Sequence, residues 1–559
     1  LTEATATDAE AGFGDERPSR PRWASWSGRA LGAVRGYFAP AQRLLPTSLL
    51  DRRMRQASLL IGGCLSLLWF VHLARISHAQ WLNANVSYDF SIFNQPYYLI
   101  AHGHLNPFDS VFGTSYLRSH FELIMWILAP TWWITRSGEM LLYIQDAALA
   151  GGGFAVARWG CLLASASLAS KDTAGLPERV LRVVVLPVTG LCVLMRSQDV
   201  SDSMREDFHF QAVSTFFLLM AATELSMRRR RGFVWVGAAL LCGDVAGTYL
   251  AGLGLSVLLA LNGRRLWGIL LIGIGAVWVL AMSHFHFNYG TPEGGFAYLA
   301  GVTDPLVKVS LLTIAANIVL HPTRPWRMLY SRRHRMWHHL AGTGSIGVLH
   351  PWAIGICGVV LASNNLALPD AFGVLEFQSV PVYFFSVAGL VFTLDLTIGW
   401  AFRVPRPALR AVVVGVACLL SIAIVGRSVL WRTLDVRFPS RYHIDAVAAG
   451  EINRIAPRIG SGDAVISAFG VAGRFSGRQD IQLIKFAGQP IIAPKGQRTV
   501  IVLVESGNMG VPEACLRDTA SWAAGLPGAE TWVQQQAIQV YAVTPTADQT
   551  FVVPADCGQ

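Results

Sequence analysis

Apolar residues come in long runs separated by short polar stretches that carry the arginines. The first long run, Ala57 to Ile76, is followed by others near 121–135, 139–157, 183–196, 208–226, 233–262, 266–287, 307–320, 337–362, 378–400 and 411–428. A perpendicular membrane span needs roughly 20 apolar residues. Several runs are shorter or broken by Gly and Pro, which predicts broken or re-entrant helices lining protein-enclosed space. From about Arg432 the texture changes. Strand-type runs at Ala464–Phe469, Ile481–Phe486, Val500–Val504 and Ala537–Val543 surround a helical stretch near Pro512–Trp522, predicting a small α/β domain.

Composition agrees: of 559 residues 53% are apolar and only 14% charged, against about 25% charged in soluble chains. That excludes a soluble enzyme, a disordered chain and a fibre. The formal net charge of +10 does not argue for nucleic acid, because the arginines cluster between apolar runs as in cytoplasmic loops. Arg52, Arg53 and Arg55 before the first run put the N-terminus in the cytoplasm. That run starts too late and is too long for a secretory leader. Arg228–Arg231, Arg264 with Arg265, Arg324–Arg335 and Arg403–Arg410 all become cytoplasmic if 233–262 is a hairpin and 121–135 is re-entrant or interfacial. For the cluster RMLYSRRHRMWHH at 327–339 an external position stays open as a basic patch suited to lipid phosphate.

The expected fold is therefore mostly α. It is a polytopic helical membrane protein with about eleven crossings, a disordered then basic cytoplasmic tail over 1–56, a transmembrane domain over 57–430, and an extracytoplasmic α/β domain over 431–559. Six cysteines lie in apolar segments at no metal-ligand spacing. Cys515 and Cys557 lie in the polar C-terminal stretch and are placed to pair in an oxidising compartment.

Three polar islands fall on the same expected face. The first loop, 77–120, carries Asp89, Asn94, Gln95, Arg118 and His120 among aromatics, and Phe90, Phe93 and Tyr97 at helical spacing suit an interfacial helix. The second, 197–211, carries Arg205, Glu206, Asp207 and His209 just after Arg196; the third is Asp244 in LLCGDVAG. Intramembrane carboxylates are costly and point to function. Converging acids suit a cation-assisted site or a general base facing a phosphate-bearing substrate.

The segments YDFSIFNQPYYLIAHG, RSHFELIMWILAPTWWI, DFHFQA and ISAFGVAGRFSGRQDIQLIKF, in that order over about 85–495, resemble the membrane family catalogued as domain of unknown function 2079, grouped with the GT-C glycosyltransferases. The resemblance implies a GT-C-like fold in the bacterial inner membrane. It also implies transfer of a sugar from a polyprenyl-phosphate donor to an envelope glycan, lipid or protein on the outer face. Carried over, Asp89 is the general base or a metal ligand, and His120, Asp207 with His209, and Asp244 match further positions of the family. Beside them the residues themselves offer Tyr88, Asn94, Gln95, Arg118, Arg205 and Glu206, so that with His120, His209 and Asp244 these are expected to bind substrate. A divalent cation, magnesium or manganese, held by Asp89 and Asp207 is one option and a metal-free reaction the other. Cys242-Gly243-Asp244 stands where the family usually carries Lys-Glu-Asp. That departure keeps open an alternative, a non-catalytic envelope scaffold or a transporter on the same fold.

Overall fold

A computed structural model describes residues 49–554, apart from 170–173, 206, 262, 286–295, 303–308, 342–344, 368–375, 404–405, 435–443, 485–487 and 506–512. The expected tail therefore lies outside the described residues up to position 48, as does Cys557. The chain is mostly helical, with a small β-rich C-terminal region. Among the described residues four helices are long and apolar enough to cross a membrane, and they lie in Leu49–Leu82, Glu139–Ala169, Arg265–Phe285 and Val380–Ala401.

In chain order the principal helices are α1 Leu49–Leu82, α2 Tyr88–Ala101, α3 Glu139–Ala169, α4 Leu186–Arg196, α5 Phe210–Ser226, α6 Gly232–Leu240, α7 Val245–Ala260, α8 Arg265–Phe285, α9 Thr323–Ser331, α10 Arg333–Ala341, α11 Pro351–Leu366, α12 Val380–Ala401 and α13 Pro407–Leu434. Small residues let them approach closely. Gly254 and Gly268 meet backbone to backbone between α7 and α8, as do Gly247 and Gly275. Between membrane helices dispersion, not hydrophobic transfer, drives association, so glycine at such contacts is what the packing requires.

Contacts between helix ends sort the connections into two faces. On the first, His78 of α1 pairs with Glu139 of α3 at 2.6 Å, Ile124 N–H donates to Leu241 O at 2.8 Å, and Trp278 Nε1 donates to Gly243 O at 3.0 Å. Asp89 lies on this face. On the second, Arg179 pairs with Asp51, and Glu224 accepts from Arg158 at 2.7 Å and from Arg231 at 2.5 Å. Arg229 lies there. Arg182 donates from Nε to Asp395 Oδ1 at 2.6 Å, which brings the far end of α12 to the Arg229 face. The hairpin α6–α7 turns at Gly243 and Asp244 on the Asp89 face, as the loop charges predict.

One group of arginines is not where those charges predict. Arg332 is buried and donates to Asn365 O at 2.9 Å and to Ala367 O at 2.7 Å at the C-terminal end of α11. Nearby, Asn364 reaches Ser379 Oγ at 3.4 Å, and His339 bonds to Tyr383 Oη at 2.8 Å. Ser379 and Tyr383 mark the start of α12, opposite its Asp395 end, so Arg324–Arg335 sits on the Asp89 face. The expectation that it is cytoplasmic together with Arg228–Arg231 is corrected. The cause is length and path. Helix Leu311–Leu320 has 10 residues, about 15 Å, half of a hydrocarbon core. After α10 the chain dips to the depth of Ser386–Leu390, where Gly347 leaves no room for a side chain, and α11 climbs back to the same face. The runs 307–320 and 337–362 do not pass from face to face.

The C-terminal region has strands β1 Ala464–Ala468, β2 Ile481–Ile484, β3 Pro490–Ala493, β4 Thr499–Val504, β5 Glu530–Gln535, β6 Ile538–Val543 and β7 Gln549–Val552. The main sheet runs β2-β1-β4-β6-β5; β1 is parallel to β2 and β4, and the β4–β6 and β6–β5 pairs are antiparallel. β1 and β4 are buried at every position, as their unbroken apolar runs require. Their core extends to Ala84, with Tyr88 and Val111 packed against it, so the region docks on the first loop. Cys515 is disulfide-bonded.

Candidate active site

The site is built around the turn between α1 and α2. Ser87 is the N-cap of α2: its hydroxyl accepts the Asp89 N–H at 3.2 Å. Asp89 thus stands in the first helical turn, where a carboxylate interacts favourably with the helix dipole, and it is half-buried. Asp207 holds this turn from behind. It is buried, and its carboxylate accepts from Ser87 N at 3.0 Å, Ser87 Oγ at 2.5 Å and Gln80 Nε2 at 3.4 Å.

Asp207 reaches that position through backbone that few residues adopt. Its φ is +68°, in the left-handed region where Asp and Asn are enriched. Gln145 of α3 clamps the same segment, donating from Nε2 to Asp207 O at 3.0 Å and accepting His209 N–H on Oε1 at 2.7 Å. On the other side Gly473 N–H donates to Val86 O at 3.1 Å, and a Cβ at Gly473 would meet the Val86 and Ser87 carbonyls at 2.8 Å. Only glycine permits that approach. The Asp89 turn is gripped by the DFHF segment and by the AGR of the C-terminal region.

Aromatic packing completes the surround. The Phe93 ring meets His120 at 5.5 Å, Phe208 at 5.6 Å, His209 at 5.9 Å and Phe210 at 5.5 Å, all edge-on. Phe93, Phe90 and Tyr97 are buried against protein, so α2 is not the lipid-facing interfacial helix that the spacing suggests. The 121–135 segment covers it: Trp132 packs on Tyr97 at 5.4 Å, and Trp133 Nε1 donates to Ala101 O at 3.2 Å.

Asn94 and Gln95, expected at sugar hydroxyls, are hydrogen-bonded within the protein. Asn94 Nδ2 donates to Ser476 Oγ at 2.9 Å, and buried Gln95 donates to Gln479 O at 2.5 Å while accepting Ser110 N–H at 3.0 Å. They fasten α2 to the C-terminal region. Tyr88 does stay beside Asp89. Its ring packs on Phe469 at 4.4 Å, and burial first, then the Asp89 carboxylate to which it is hydrogen-bonded, push its phenol pKa up.

A second acidic locus lies beyond His120. Glu122 is buried, accepts Tyr116 Oη–H at 2.9 Å, and lies against Gly243 beside Asp244. Burial first, then the Asp244 charge, raise its carboxyl from the ordinary 4.5 to about 8. Asp109, also buried, is raised to about 7 by burial, against hydrogen bonds from Ser119, Phe112 and Val111. Asp244 caps α7, accepting Val245 N–H at 2.7 Å. Glu122, Gly473 and Arg474 are not among the site residues expected from the sequence. Their one signal is that they lie inside the FEL and AGR of the quoted motifs. Arg474 covers the Trp81 ring at 4.3 Å, and burial lowers its guanidinium to about 10, still protonated at neutral pH.

Ser87 and Gln80 donate to the Asp207 carboxylate, and among the described residues no three His, Cys, Asp or Glu side chains converge to hold an ion. Arg118 is exposed near His120. Arg196 ends α4 and Arg205 ends the helix Gln198–Arg205. Glu206 and the Arg205 side chain lie outside the described residues.

The family model described as predicted membrane protein (DUF2079) matches residues 80–541. The chain belongs to this DUF2079 family. No curated protein matches it. Among solved structures, it is similar to ArnT from Cupriavidus metallidurans bound to undecaprenyl phosphate, with 14% identity, a TM-score of 0.35, and coverage of 87% of this chain and 98% of that one. For apo ArnT of the same organism the identity is 14%, the TM-score 0.40 and the coverage 86% and 98%. The DUF2079 match spans both the Asp89 turn and the AGR that grips it.

Proposed function

We propose that this DUF2079 protein is a GT-C-type glycosyltransferase that moves a sugar from a polyprenyl-phosphate carrier to an envelope acceptor. The carrying observation is the division of labour between two acids: buried Asp207 accepts from the Ser87 N–H, the Ser87 hydroxyl and Gln80, while half-buried Asp89 stands in the helical turn that these bonds hold. Asp89 accepts the proton of the acceptor hydroxyl. The freed oxygen bonds to the anomeric carbon, the bond from that carbon to the phosphate oxygen breaks, and the electron pair leaves on the polyprenyl phosphate. Arg118 and Arg474 supply positive charge for the departing phosphate. Asp207, Ser87 and Gln145 are positioning residues, and no step is routed through a metal.

In the same proposal the Arg229 face, with Arg228–Arg231, Arg264–Arg265 and Arg403–Arg410, is cytoplasmic, and the Asp89 face with the C-terminal region is outside the bacterial inner membrane. The Cys-Gly-Asp at 242–244 favours a second reading, a scaffold or transporter without transfer. Proteoliposomes carrying the full chain, given a panel of labelled polyprenyl-phosphate sugars and an envelope extract, distinguish the two. Consumption of one donor with label entering the extract is expected. Intact donors across the panel would overturn the transferase reading.

A further inference from the structure

The basic pair α9–α10 lies on the Asp89 face, the face that the other arginine clusters avoid. Its attachment is firm: Arg332 is buried and ties it to the end of α11 through two carbonyls. Its surface is sorted by chemistry. Pro325 is buried and Leu329 half-buried on the protein side of α9, while Trp326 and Tyr330, one turn apart, are 68% and 59% exposed. Arg324 and Arg327 continue that exposed face, and in α10 Arg333 and Trp337 are exposed too.

Three observations bear on the occupant. Arg324, Arg327 and Arg333 make no ion pair among the described residues, and Arg333 lies 4.3 Å over the Tyr330 ring. The helix leading into the pair, Leu311–Leu320, exposes Leu312, Val319 and Leu320 at 72%, 77% and 71%. That apolar surface is continuous with α9, so the pair starts where lipid contact ends. Aromatic rings at headgroup level with arginines beside them form an interfacial anchor, and arginine forks match phosphate oxygens two at a time.

We propose that α9–α10 binds anionic phospholipid headgroups of the bilayer leaflet on the Asp89 face, with Arg324, Arg327 and Arg333 holding the phosphates and Trp326, Tyr330 and Trp337 at headgroup depth. This role stands apart from sugar transfer and is read by lipid binding alone. The surface fixes the height of the re-entrant 345–366 segment against the membrane.

The test places a fluorophore on Ser331→Cys in a Cys64→Ser background and reconstitutes the full chain in nanodiscs. Quenching by headgroup-labelled phosphatidylglycerol or phosphatidylcholine is then titrated. Phosphatidylglycerol should be preferred, and the preference should weaken as salt rises. Each arginine near a membrane surface contributes about a fivefold gain, so Arg327→Gln should cost about fivefold and the triple Arg324→Gln, Arg327→Gln, Arg333→Gln variant about a hundredfold, with phosphatidylcholine unchanged. The triple lysine variant keeps the charge and should retain most of the preference. Should the triple glutamine variant fold poorly by thermal melt, Arg327→Gln alone decides. Unchanged phosphatidylglycerol preference in a folded variant overturns the proposal, as does loss of polyprenyl-phosphate binding with phosphatidylglycerol unaffected, which would make the surface a donor site.

Discussion

The two faces of the bundle handle buried charge in opposite ways. On the Arg229 face opposite charges meet: buried Arg182 is shared by Asp395 and Glu178, and Glu224 sits between Arg158 and Arg231. On the Asp89 face buried acids accept from neutral donors, Glu122 from Tyr116 and Asp109 from Ser119, and Ser87 and Gln80 donate to Asp207. A charge cancelled by a counter-charge fixes structure and is spent. A carboxyl held by neutral groups keeps its charge or its proton for the reaction, at the cost of desolvation.

That contrast can be broken at Arg182. Arg182→Ala leaves two buried carboxylates without their partner and should cost about 3–5 kcal/mol of stability, read as a lowered melting temperature in detergent with transfer per folded molecule unchanged. Replacing Arg182, Glu178 and Asp395 together by apolar residues of similar size should restore most of the loss. A smaller effect is expected at Asp207→Asn, which keeps the left-handed backbone and removes only the charge. Losing a hydrogen bond to a charged group costs about 1.5–3 kcal/mol, and kcat should fall with KM little changed as the Asp89 turn loosens. If Asp207→Asn matches wild type in both, Asp207 does not position Asp89.

Glu122 gives the mildest change and a sign. Its carboxyl is held from the ordinary 4.5 up to about 8 in the folded chain, so folding takes up a proton between those values. The associated stability is complete below about pH 4.5 and is lost as pH rises through about 8. Glu122→Gln should flatten that part of a melting-temperature profile from pH 5 to 9, leaving the part from Asp109, which ends near pH 7. A profile identical to wild type would mean that Glu122 is ionised in the folded protein. Finally, Arg327→Cys and Arg230→Cys should label from opposite sides of sealed vesicles; labelling from the same side would merge the two faces.

Much of this was legible in the chain. The buried strands β1, β2, β4 and β6 announce themselves as apolar runs, whereas β3 and β7 pair only with each other and are exposed at alternate or flanking positions, which weakens the pattern. Apolarity also reports contact with lipid or core but not depth, so the re-entrant 337–362 reads like a crossing. In the site, Asp89 and Asp207 stand out as acids in polar loops. Glu122 does not, because a single acid before an apolar run looks like an ordinary helix start. The turn of Asn94 and Gln95 towards the C-terminal region depends on contacts nearly 400 positions away in sequence, such as Gln95 with Gln479, and no local pattern encodes it.

The central claim is that Asp89 performs the proton transfer that the rest of its turn is built to position. With a donor in hand, single-turnover sugar transfer should be measured for wild type and Asp89→Asn reconstituted side by side, each shown to be folded by thermal melt. The account predicts a loss of about a hundredfold to ten-thousandfold in the chemical step, with donor binding unchanged. Near wild-type turnover by a well-folded Asp89→Asn protein would contradict it.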